Sequence, residues 1–270
     1  MIYFCDTIAF SHQNGREENQ DAYGYMISEN RFPDSETNGA VFFVADGVSC
    51  SNGGEAAARI NKSYRKVLSS LLGECVAFQE RAKNTQLSEQ ELSWEICEKL
   101  RDTVLEFDRI VCGKGHRGDI GATISLALVL GCNVYTANLG DSPIFLVELD
   151  GDDDPEKLTE LYQCHNAAAD LPEEEALTSN LKYTLTVPVL GDQPDRSRVY
   201  VTSAGLYQNN LLLLGSDGAL SVLPKDALVD LIRQKAPEGP EAINSALFDA
   251  IREAGETDNY TLIGQWVRTD

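Results

Sequence analysis

Apolar and polar positions follow two rhythms along this chain, one typical of strands and one typical of helices. The run VFFVA at residues 41–45 is apolar throughout and precedes an Asp-Gly pair, which predicts a buried strand that ends in a turn. After Asn52, apolar residues recur at steps of three and four as far as Gly73. This spacing predicts an amphipathic helix that stops at the glycine.

A second helix is predicted between Ser88 and Gly113. Ser88 and Glu91 have the spacing of a capping box, and the apolar residues after them keep helical spacing. Residues 122–149 consist instead of three β-branched runs separated by turn residues. They predict three consecutive strands in an antiparallel meander.

The rest of the chain adds strands and helices in separate blocks. Strands are predicted near Leu181, Ser197 and Asn210 and at the C-terminal end, and helices at residues 225–236 and 241–254. Strands near both ends of the chain, with helices in two blocks, favour one layered α+β domain over a parallel βαβ sheet. We expect this domain to span residues 1–270.

Composition narrows the possible functions. The 270 residues include 43 acidic and 22 basic side chains, for a formal net charge of −21. Nucleic acids and anionic membranes bind through Lys and Arg, so neither is an expected partner. The longest apolar run, residues 124–130, is far shorter than the roughly 20 residues that span a bilayer. Seven scattered cysteines without a CxxC pair fit reduced thiols in a cytoplasmic protein.

One stretch is far more acidic than its surroundings. Between Glu148 and Glu175 the sequence has eleven acidic residues and a single lysine. Such a run is typical of a solvated segment. We therefore expect an acidic excursion from the sheets at about residues 148–180.

Acidic residues also stand at the ends of apolar runs, next to turn-forming residues. They are Asp21, Asp46, Asp119, Asp141, Asp217 and Asp258. One Asp-Gly pair after a strand indicates only a β-turn. Carboxylates at the ends of several neighbouring strands, however, converge on one sheet edge and repel each other unless a cation lies between them. Oxygen ligands of this kind suit Mg²⁺ or Mn²⁺, so the pattern predicts a carboxylate metal site.

Other chemistries have less support. The three histidines lack zinc-ligand spacing, and the sequence has neither a GxSxG nucleophile elbow nor a GxxxxGKS phosphate loop. Arg16 precedes Asp21 by five residues, so both side chains can face one pocket. A guanidinium group matches phosphate oxygens bidentately, which makes Arg16 the candidate anion clamp beside the metal site.

Six motifs occur in order along the chain and together resemble one enzyme family. They are GREENQDAYG (15–24), FVADGVSCSNGGEAAA (43–58), GDIGAT (118–123), ANLGDSPIFLV (137–147), LLLLGSDGAL (211–220) and TDNYTLI (257–263). In order and spacing they are similar to the motifs of the metal-dependent protein phosphatase 2C family, in particular its bacterial members. The similarity extends over nearly the whole chain.

The resemblance implies a four-layer α-β-β-α sandwich of two antiparallel sheets flanked by helices, with two Mg²⁺ or Mn²⁺ ions at one end. It implies that Asp46 bridges both ions. Asp21 and the Gly47 carbonyl would complete the first ion site, directly or through water. Asp217 and Asp258 would complete the second. The acidic excursion corresponds to a variable flap beside the active site.

Two further roles follow from the resemblance. Asp119 matches the position of a third, weaker ion, and Arg16 matches the phosphate-binding arginine. The implied reaction is hydrolysis of phosphoserine and phosphothreonine in proteins by a water that the two ions activate, without a phosphoenzyme. Its partners are phosphorylated proteins and a cognate serine/threonine kinase. The alternative is a catalytically weak module of the same fold that binds phosphoproteins.

The sequence departs from the family pattern at three places. Residues 48–50 read Val-Ser-Cys where DGxGG glycines are usual, Pro143 replaces the arginine of GDSR, and Gln20 replaces a common glutamate. None of these changes removes an implied metal ligand. We therefore expect an active enzyme.

Overall fold

Two five-stranded antiparallel sheets form the centre of the protein. The computed structural model describes residues 2–27, 39–48, 52–85, 87–113, 119–149, 157–187 and 189–269. The strands are β1 (Ile2–His12), β2 (Asp21–Ile27), β3 (Ala40–Asp46), β4 (Ile124–Leu130), β5 (Asn133–Leu139), β6 (Ile144–Glu148), β7 (Leu158–Glu160), β8 (Tyr200–Gly205), β9 (Asn210–Gly215) and β10 (Tyr260–Thr269). The helices are α1 (Gly53–Thr85), α2 (Glu89–Cys112), α3 (Glu173–Thr178), α4 (Asp217–Leu220), α5 (Lys225–Lys235) and α6 (Pro240–Glu253).

Each sheet combines strands from distant parts of the chain. One sheet has the order β1-β10-β9-β6-β7 and the other has the order β2-β3-β4-β5-β8. Every neighbouring pair is antiparallel. Both ends of the chain therefore lie in the same sheet, side by side as β1 and β10.

Both faces of each sheet are covered, which gives the molecule its layers. In β3, Phe42 packs into the core between the sheets and Phe43 into the core under α1 and α2. The two residues point to opposite faces because side chains alternate along a strand. The outer face of the other sheet, including Leu213, packs against Leu247 and other residues of α4, α5 and α6. The predicted four-layer α-β-β-α sandwich is confirmed.

The two long helices confirm one predicted boundary and correct another. The Ser88 hydroxyl accepts a hydrogen bond from the Glu91 N–H, and the Glu91 carboxylate accepts one from the Ser88 N–H, so the capping box before α2 is confirmed. The predicted stop at Gly73 is wrong, because α1 continues to Thr85. Cys75 on the next part of the helix is fully buried, and this tertiary packing outweighs the low helix propensity of one glycine.

The topology also corrects two strand predictions. β4 and β5 form the expected hairpin, but β6 leaves the meander and pairs with β9 in the other sheet. The Pro143 carbonyl, at this corner, accepts a hydrogen bond from the Gly215 N–H. Residues Asn180–Tyr183 form a 3₁₀ turn instead of a strand. Leu181 and Tyr183 are 47% and 57% exposed, so this run lacks the buried face that a strand needs.

The described residues bear on two expectations from composition. None of their helices combines the length and apolarity needed to cross a membrane. Five of the cysteines in these residues form no disulfide bond: Cys75, Cys97, Cys112, Cys132 and Cys164. Cys50 and residues 150–156 of the acidic run fall outside the described part of the chain.

Two aromatic residues of α2 provide a test of the layered core. Phe107 is fully buried against Phe43, whereas Trp94 is 61% exposed. We predict that Phe107→Ala lowers the free energy of unfolding by about 3–5 kcal/mol, because it leaves a cavity in the core. Trp94→Ala should change it by less than about 0.5 kcal/mol. Urea denaturation followed by circular dichroism measures both, and equal losses would contradict the packing.

Candidate active site

Four of the predicted aspartates lie at the same end of the two sheets. Asp46 ends β3, and its Cα is paired with that of Asp21, the first residue of β2. Asp217 opens α4 just after β9, and Asp258 lies just before β10, the neighbour of β9. The ends of two strand pairs, one from each sheet, thus bring these carboxylates together. The aspartates therefore converge as predicted, but they come from both sheets and not from the edge of a single sheet.

Asp21 lies at the buried floor of this cluster. It is 6% exposed, and neither of its carboxylate oxygens has a hydrogen-bond partner within the described residues. Burial, and then the charges of Asp217 and Asp258, raise its pKa to about 7, although the nearby Thr261 and Ser216 hydroxyls offset part of the rise. A buried carboxylate without a partner is costly. It is the strongest sign that a cation belongs at this position.

Asp46 and Asp217 form a close carboxyl pair beside Asp21. Burial raises the pKa of both groups, and the charges of Asp21 and Asp217 raise the pKa of Asp46 further. The two carboxyls lie within hydrogen-bonding reach of each other, so in the absence of a cation they can share a proton. Such sharing is the usual response of two adjacent acids that cannot both ionise.

Asp141, one of the six predicted strand-end aspartates, joins the cluster, although the family resemblance gave it no ligand role. It is 7% exposed, and burial together with the charge of Asp217 raises its pKa to about 7. Asn166 donates a hydrogen bond to its Oδ2 atom at 3.0 Å. In the sequence, its position in the GDS motif directly after the apolar run of β5 is the signal that places it at this end of the sheet.

Asp119 is the exposed member of the six predicted aspartates, in contrast to the buried Asp141. The preceding residues 114–118 lie outside the described part of the chain. The assignment of Asp119 to a third ion stays a prediction, while the charge of Asp217 acts on the buried Asp141.

Arg16 lies at the mouth of the cluster. Its Nη2 atom donates a hydrogen bond to Oδ2 of Asp258 at 2.5 Å, and 42% of the Arg16 side chain is exposed. The charges of Asp217 and Asp46 also act on the guanidinium group. The structure therefore brings the predicted anion clamp to the predicted metal ligands.

Asn259, which sequence reasoning missed, holds the Arg16 loop against the Asp258 loop. Its Oδ1 atom accepts a hydrogen bond from the Gln20 N–H at 2.9 Å, and its Nδ2 atom donates to the carbonyls of Gln13 and Glu18 at 2.9 and 3.0 Å. It is 5% exposed. These three bonds fix the position of Arg16 from beneath. The TDNY motif contained this residue, but its partners are more than 200 positions away in sequence.

The backbone around Asp46 and Gly47 is held equally firmly. The Asp46 N–H donates to the Thr123 hydroxyl at 3.1 Å, and the Asp46 carbonyl accepts from the Thr123 N–H at 2.8 Å. A Cβ atom on Gly47 would lie 2.5 Å from the Gln20 carbonyl oxygen and 2.7 Å from Gly53. Only glycine fits this approach, so Gly47 and Gly53 preserve the close backbone packing without the usual DGxGG spacing.

A segment after β6 packs along the same end of the sandwich. We call residues 157–187 the flap segment. Its His165 Nδ1 atom accepts a hydrogen bond from the Gly140 N–H at 3.1 Å, and burial lowers the His165 pKa. Lys182 lies 3.9 Å from a carboxylate oxygen of Glu256, whose other oxygen accepts the N–H groups of Thr257 and Asp258. The flap segment therefore contacts both sides of the carboxylate cluster.

The donor set suits a hard divalent cation, although the side chains are not yet arranged around one. Among the described residues, no three acidic, histidine or cysteine side chains are grouped closely enough to hold a metal ion as they stand. The unpartnered oxygens of Asp21 and the paired carboxyls of Asp46 and Asp217 nevertheless offer the oxygen ligands that Mg²⁺ and Mn²⁺ prefer.

Comparison with known sequences decides the family. A sequence model described as protein phosphatase 2C matches residues 30–171, more than half of the chain. The chain belongs to the protein phosphatase 2C family. By class it is a protein serine/threonine phosphatase. The matched part includes Asp46 and Asp141, whereas Arg16, Asp217 and Asp258 lie outside it. No curated protein matches the chain by sequence.

Solved structures show the same fold over the whole chain. The serine/threonine phosphatase Stp1 from Staphylococcus aureus is 19% identical, with a TM-score of 0.70 over 98% of this chain and 95% of that one. The S. agalactiae serine/threonine phosphatase is 19% identical, with a TM-score of 0.68 over both complete chains. The catalytic domain of PstP in complex with two manganese ions is 16% identical, with a TM-score of 0.65 over both complete chains.

The raised pKa values predict how the metal-free phosphatase responds to pH. Asp21 and Asp141 have pKa values of about 7 in the fold, above the ordinary 3.8, so the folded state binds more protons than the unfolded state between these values. Their stabilising contribution is present at low pH and is lost as pH rises through about 7. We predict that, with chelator present, the melting temperature falls between about pH 5 and about pH 8.

A substitution isolates this effect. Asp21→Asn should flatten the fall in melting temperature, whereas Asp119→Asn, on an exposed residue, should leave it unchanged. Differential scanning calorimetry across this pH range is the measurement. A fall of the same size in Asp21→Asn and in the unsubstituted protein would contradict the raised pKa of Asp21.

Proposed function

We propose that this phosphatase hydrolyses phosphoserine and phosphothreonine in proteins with the help of two Mg²⁺ or Mn²⁺ ions. The observation that supports the proposal most directly is Asp21, whose buried carboxylate has no hydrogen-bond partner among the described residues. The adjacent Asp46 and Asp217 carry raised pKa values for the same reason. Together these groups form a negative pocket, which binds a phosphate dianion only if cations reverse its charge.

Each residue of the cluster has a proposed role. Asp46 would help to hold both cations, together with Asp21 and the Gly47 carbonyl for one of them and Asp217 and Asp258 for the other. When bound, the two cations lower the pKa of water and neutralise the phosphoryl oxygens as negative charge develops. Thr123 holds the Asp46 backbone on both sides.

Arg16 would hold and orient the phosphoryl group. Its guanidinium is already at the mouth and half exposed, with Asp258 as its partner. A substrate phosphate competes for the same N–H groups, and Asn259 keeps the Arg16 loop in place during this exchange. Water attacks phosphorus while the bond to the serine or threonine oxygen breaks. The attacking water loses a proton to solvent, and the leaving oxygen takes one up from solvent. No phosphoenzyme forms.

A third, weaker cation would bind closer to Asp141 than the sequence indicated. The charge of Asp217 acts on Asp141 and both residues lie at the sheet ends, whereas Asp119 is exposed. We therefore include Asp141 in the proposed ligand set and keep Asp119 as the alternative for this position.

Phosphorylated proteins are the proposed partners, and a cognate serine/threonine kinase would supply them. The protein would work in the cytoplasm. A catalytically weak module that binds phosphoproteins is the second candidate, and the half-exposed Arg16 fits such binding as well. Turnover separates the two functions.

The first prediction from this proposal concerns turnover. Para-nitrophenyl phosphate should be hydrolysed with Mn²⁺, and chelator should abolish the activity reversibly. Asp46→Asn should lower kcat about 100-fold or more, because it removes a charged ligand that would hold both cations. Asp249→Asn, on an exposed residue of α6, is the matched control and should retain full activity. Phosphopeptide binding without any turnover would instead support the binding module.

The second prediction separates Asp141 from Asp119. Asp141→Asn should raise the Mn²⁺ concentration needed for half-maximal activity roughly tenfold or more, because it removes a charged oxygen ligand. Asp119→Asn should leave that concentration unchanged. Activity measured across a Mn²⁺ titration decides between them, and the reverse result would restore Asp119 as the ligand.

A further inference from the structure

A cavity of about 260 Å³ lies between the flap segment and the start of α5. Its lining is rich in apolar residues, including Phe145, Tyr162, Ala176, Leu177, Leu220 and Leu223. Ala176 and Leu177 belong to α3 of the flap segment, and Leu220 ends α4. The flap segment therefore forms one side of the cavity, and β6, α4 and the start of α5 form the other.

The charged groups that line the cavity already have partners. The Lys225 Nζ atom lies 2.5 Å from Oε1 of Glu160, and the Lys225 N–H donates to Oε1 of Glu173 at 3.0 Å. Lys182 is paired with Glu256 outside the cavity. Within the described part of the lining, both lysines are paired, so no cation is left over for an anionic ligand. An occupant would gain mainly from burying apolar surface.

Three residues that line the cavity also contact residues at the aspartate cluster. Asn166 lines the cavity and donates to the carboxylate of Asp141. Ser221 lines it and donates its N–H to the carbonyl of Asp217 at 2.9 Å. Lys182 lines it and reaches Glu256, the residue that holds the Asp258 loop. An occupant would therefore lie beside the phosphate site.

The size of the cavity limits the kind of occupant. Sites for drug-sized ligands and cofactors usually measure roughly 300–1,000 Å³, and this cavity is smaller. A nucleotide would also need unpaired cations for its phosphates, and both lysines are engaged. One large apolar side chain matches the volume and the lining.

We propose that this cavity binds one apolar side chain of the phosphoprotein substrate, of the size of leucine or phenylalanine, close in sequence to the phosphorylated residue. The inference rests on the proposed function, because it places the phosphorylated residue at the Arg16 and aspartate cluster. It adds a specificity site that recognises the substrate segment and leaves the phosphoryl chemistry unchanged.

The experiment uses phosphoserine peptides of constant charge with a single leucine. The leucine is moved through about four positions on either side of the phosphoserine, a reach of roughly 13 Å in an extended chain. We expect kcat/KM to rise about tenfold at one position relative to alanine. Para-nitrophenyl phosphate, which has no side chain, reports the chemistry alone.

Two substitutions test the cavity itself. Ala176→Phe should fill the cavity and remove the preference for leucine, with hydrolysis of para-nitrophenyl phosphate unchanged. Leu177→Ala should enlarge it and shift the preference from leucine towards tryptophan, a gain that misfolding cannot produce. Thr178→Leu, on the same helix but outside the lining, is the matched control and should keep the leucine preference.

Binding measured in parallel separates this inference from the proposed function. The probes are the same peptides with a non-hydrolysable phosphonate in place of the phosphate ester, followed by fluorescence anisotropy with Mn²⁺. If no ester is hydrolysed but the leucine peptide still binds more tightly and Ala176→Phe cancels the difference, the proposed function fails and the side-chain site stands. If all peptides bind alike, or if Ala176→Phe slows para-nitrophenyl phosphate as much as the leucine peptide, the side-chain site is overturned.

Discussion

Mutual repulsion between carboxylates at one end of the sandwich is the constraint on which the rest of the site depends. Asp21, Asp46 and Asp217 are brought together by strands of two different sheets, and burial raises the pKa of each. Without a cation, the fold tolerates them through protonation and through the guanidinium of Arg16 on Asp258. A divalent cation would take the place of both the protons and the Arg16–Asp258 ion pair. Arg16 could then bind a substrate anion.

Holding these side chains in place requires a rigid backbone, and the structure supplies it through contacts distant in sequence. Thr123 fixes both backbone groups of Asp46, and its hydroxyl lies 2.7 Å from that of Ser142. Asn259 fixes the Arg16 loop through three hydrogen bonds. Each bond is modest alone, but a buried network whose members are all satisfied resists the displacement that repulsion would cause.

Local signals carried most of what the sequence predicted correctly. The capping box of α2, the apolar run of β3 and the motif aspartates depend on neighbours a few positions away, and the structure places Asp21, Asp46, Asp217 and Asp258 together. The failures are non-local. Gly73 is overruled by tertiary packing of α1, and β6 changes sheets because β9 offers a partner that no local pattern reveals. Asp119 and Asp141 follow similar motifs, and only the fold distinguishes the exposed one from the buried one.

The turn after Asp46 shows why physical contact matters more than motif spacing. The last two glycines of the usual DGxGG motif are replaced by Ser49 and Cys50. Gly53 nevertheless lies so close to Gly47 that a Cβ on Gly53 would be 2.4 Å from the Gly47 carbonyl carbon. The constraint is therefore a close approach of two backbone segments, which the glycines at positions 47 and 53 permit. Because the Gly47 carbonyl is a proposed ligand, this approach links the start of α1 to the cation site. A side chain at Gly53 would push this carbonyl away.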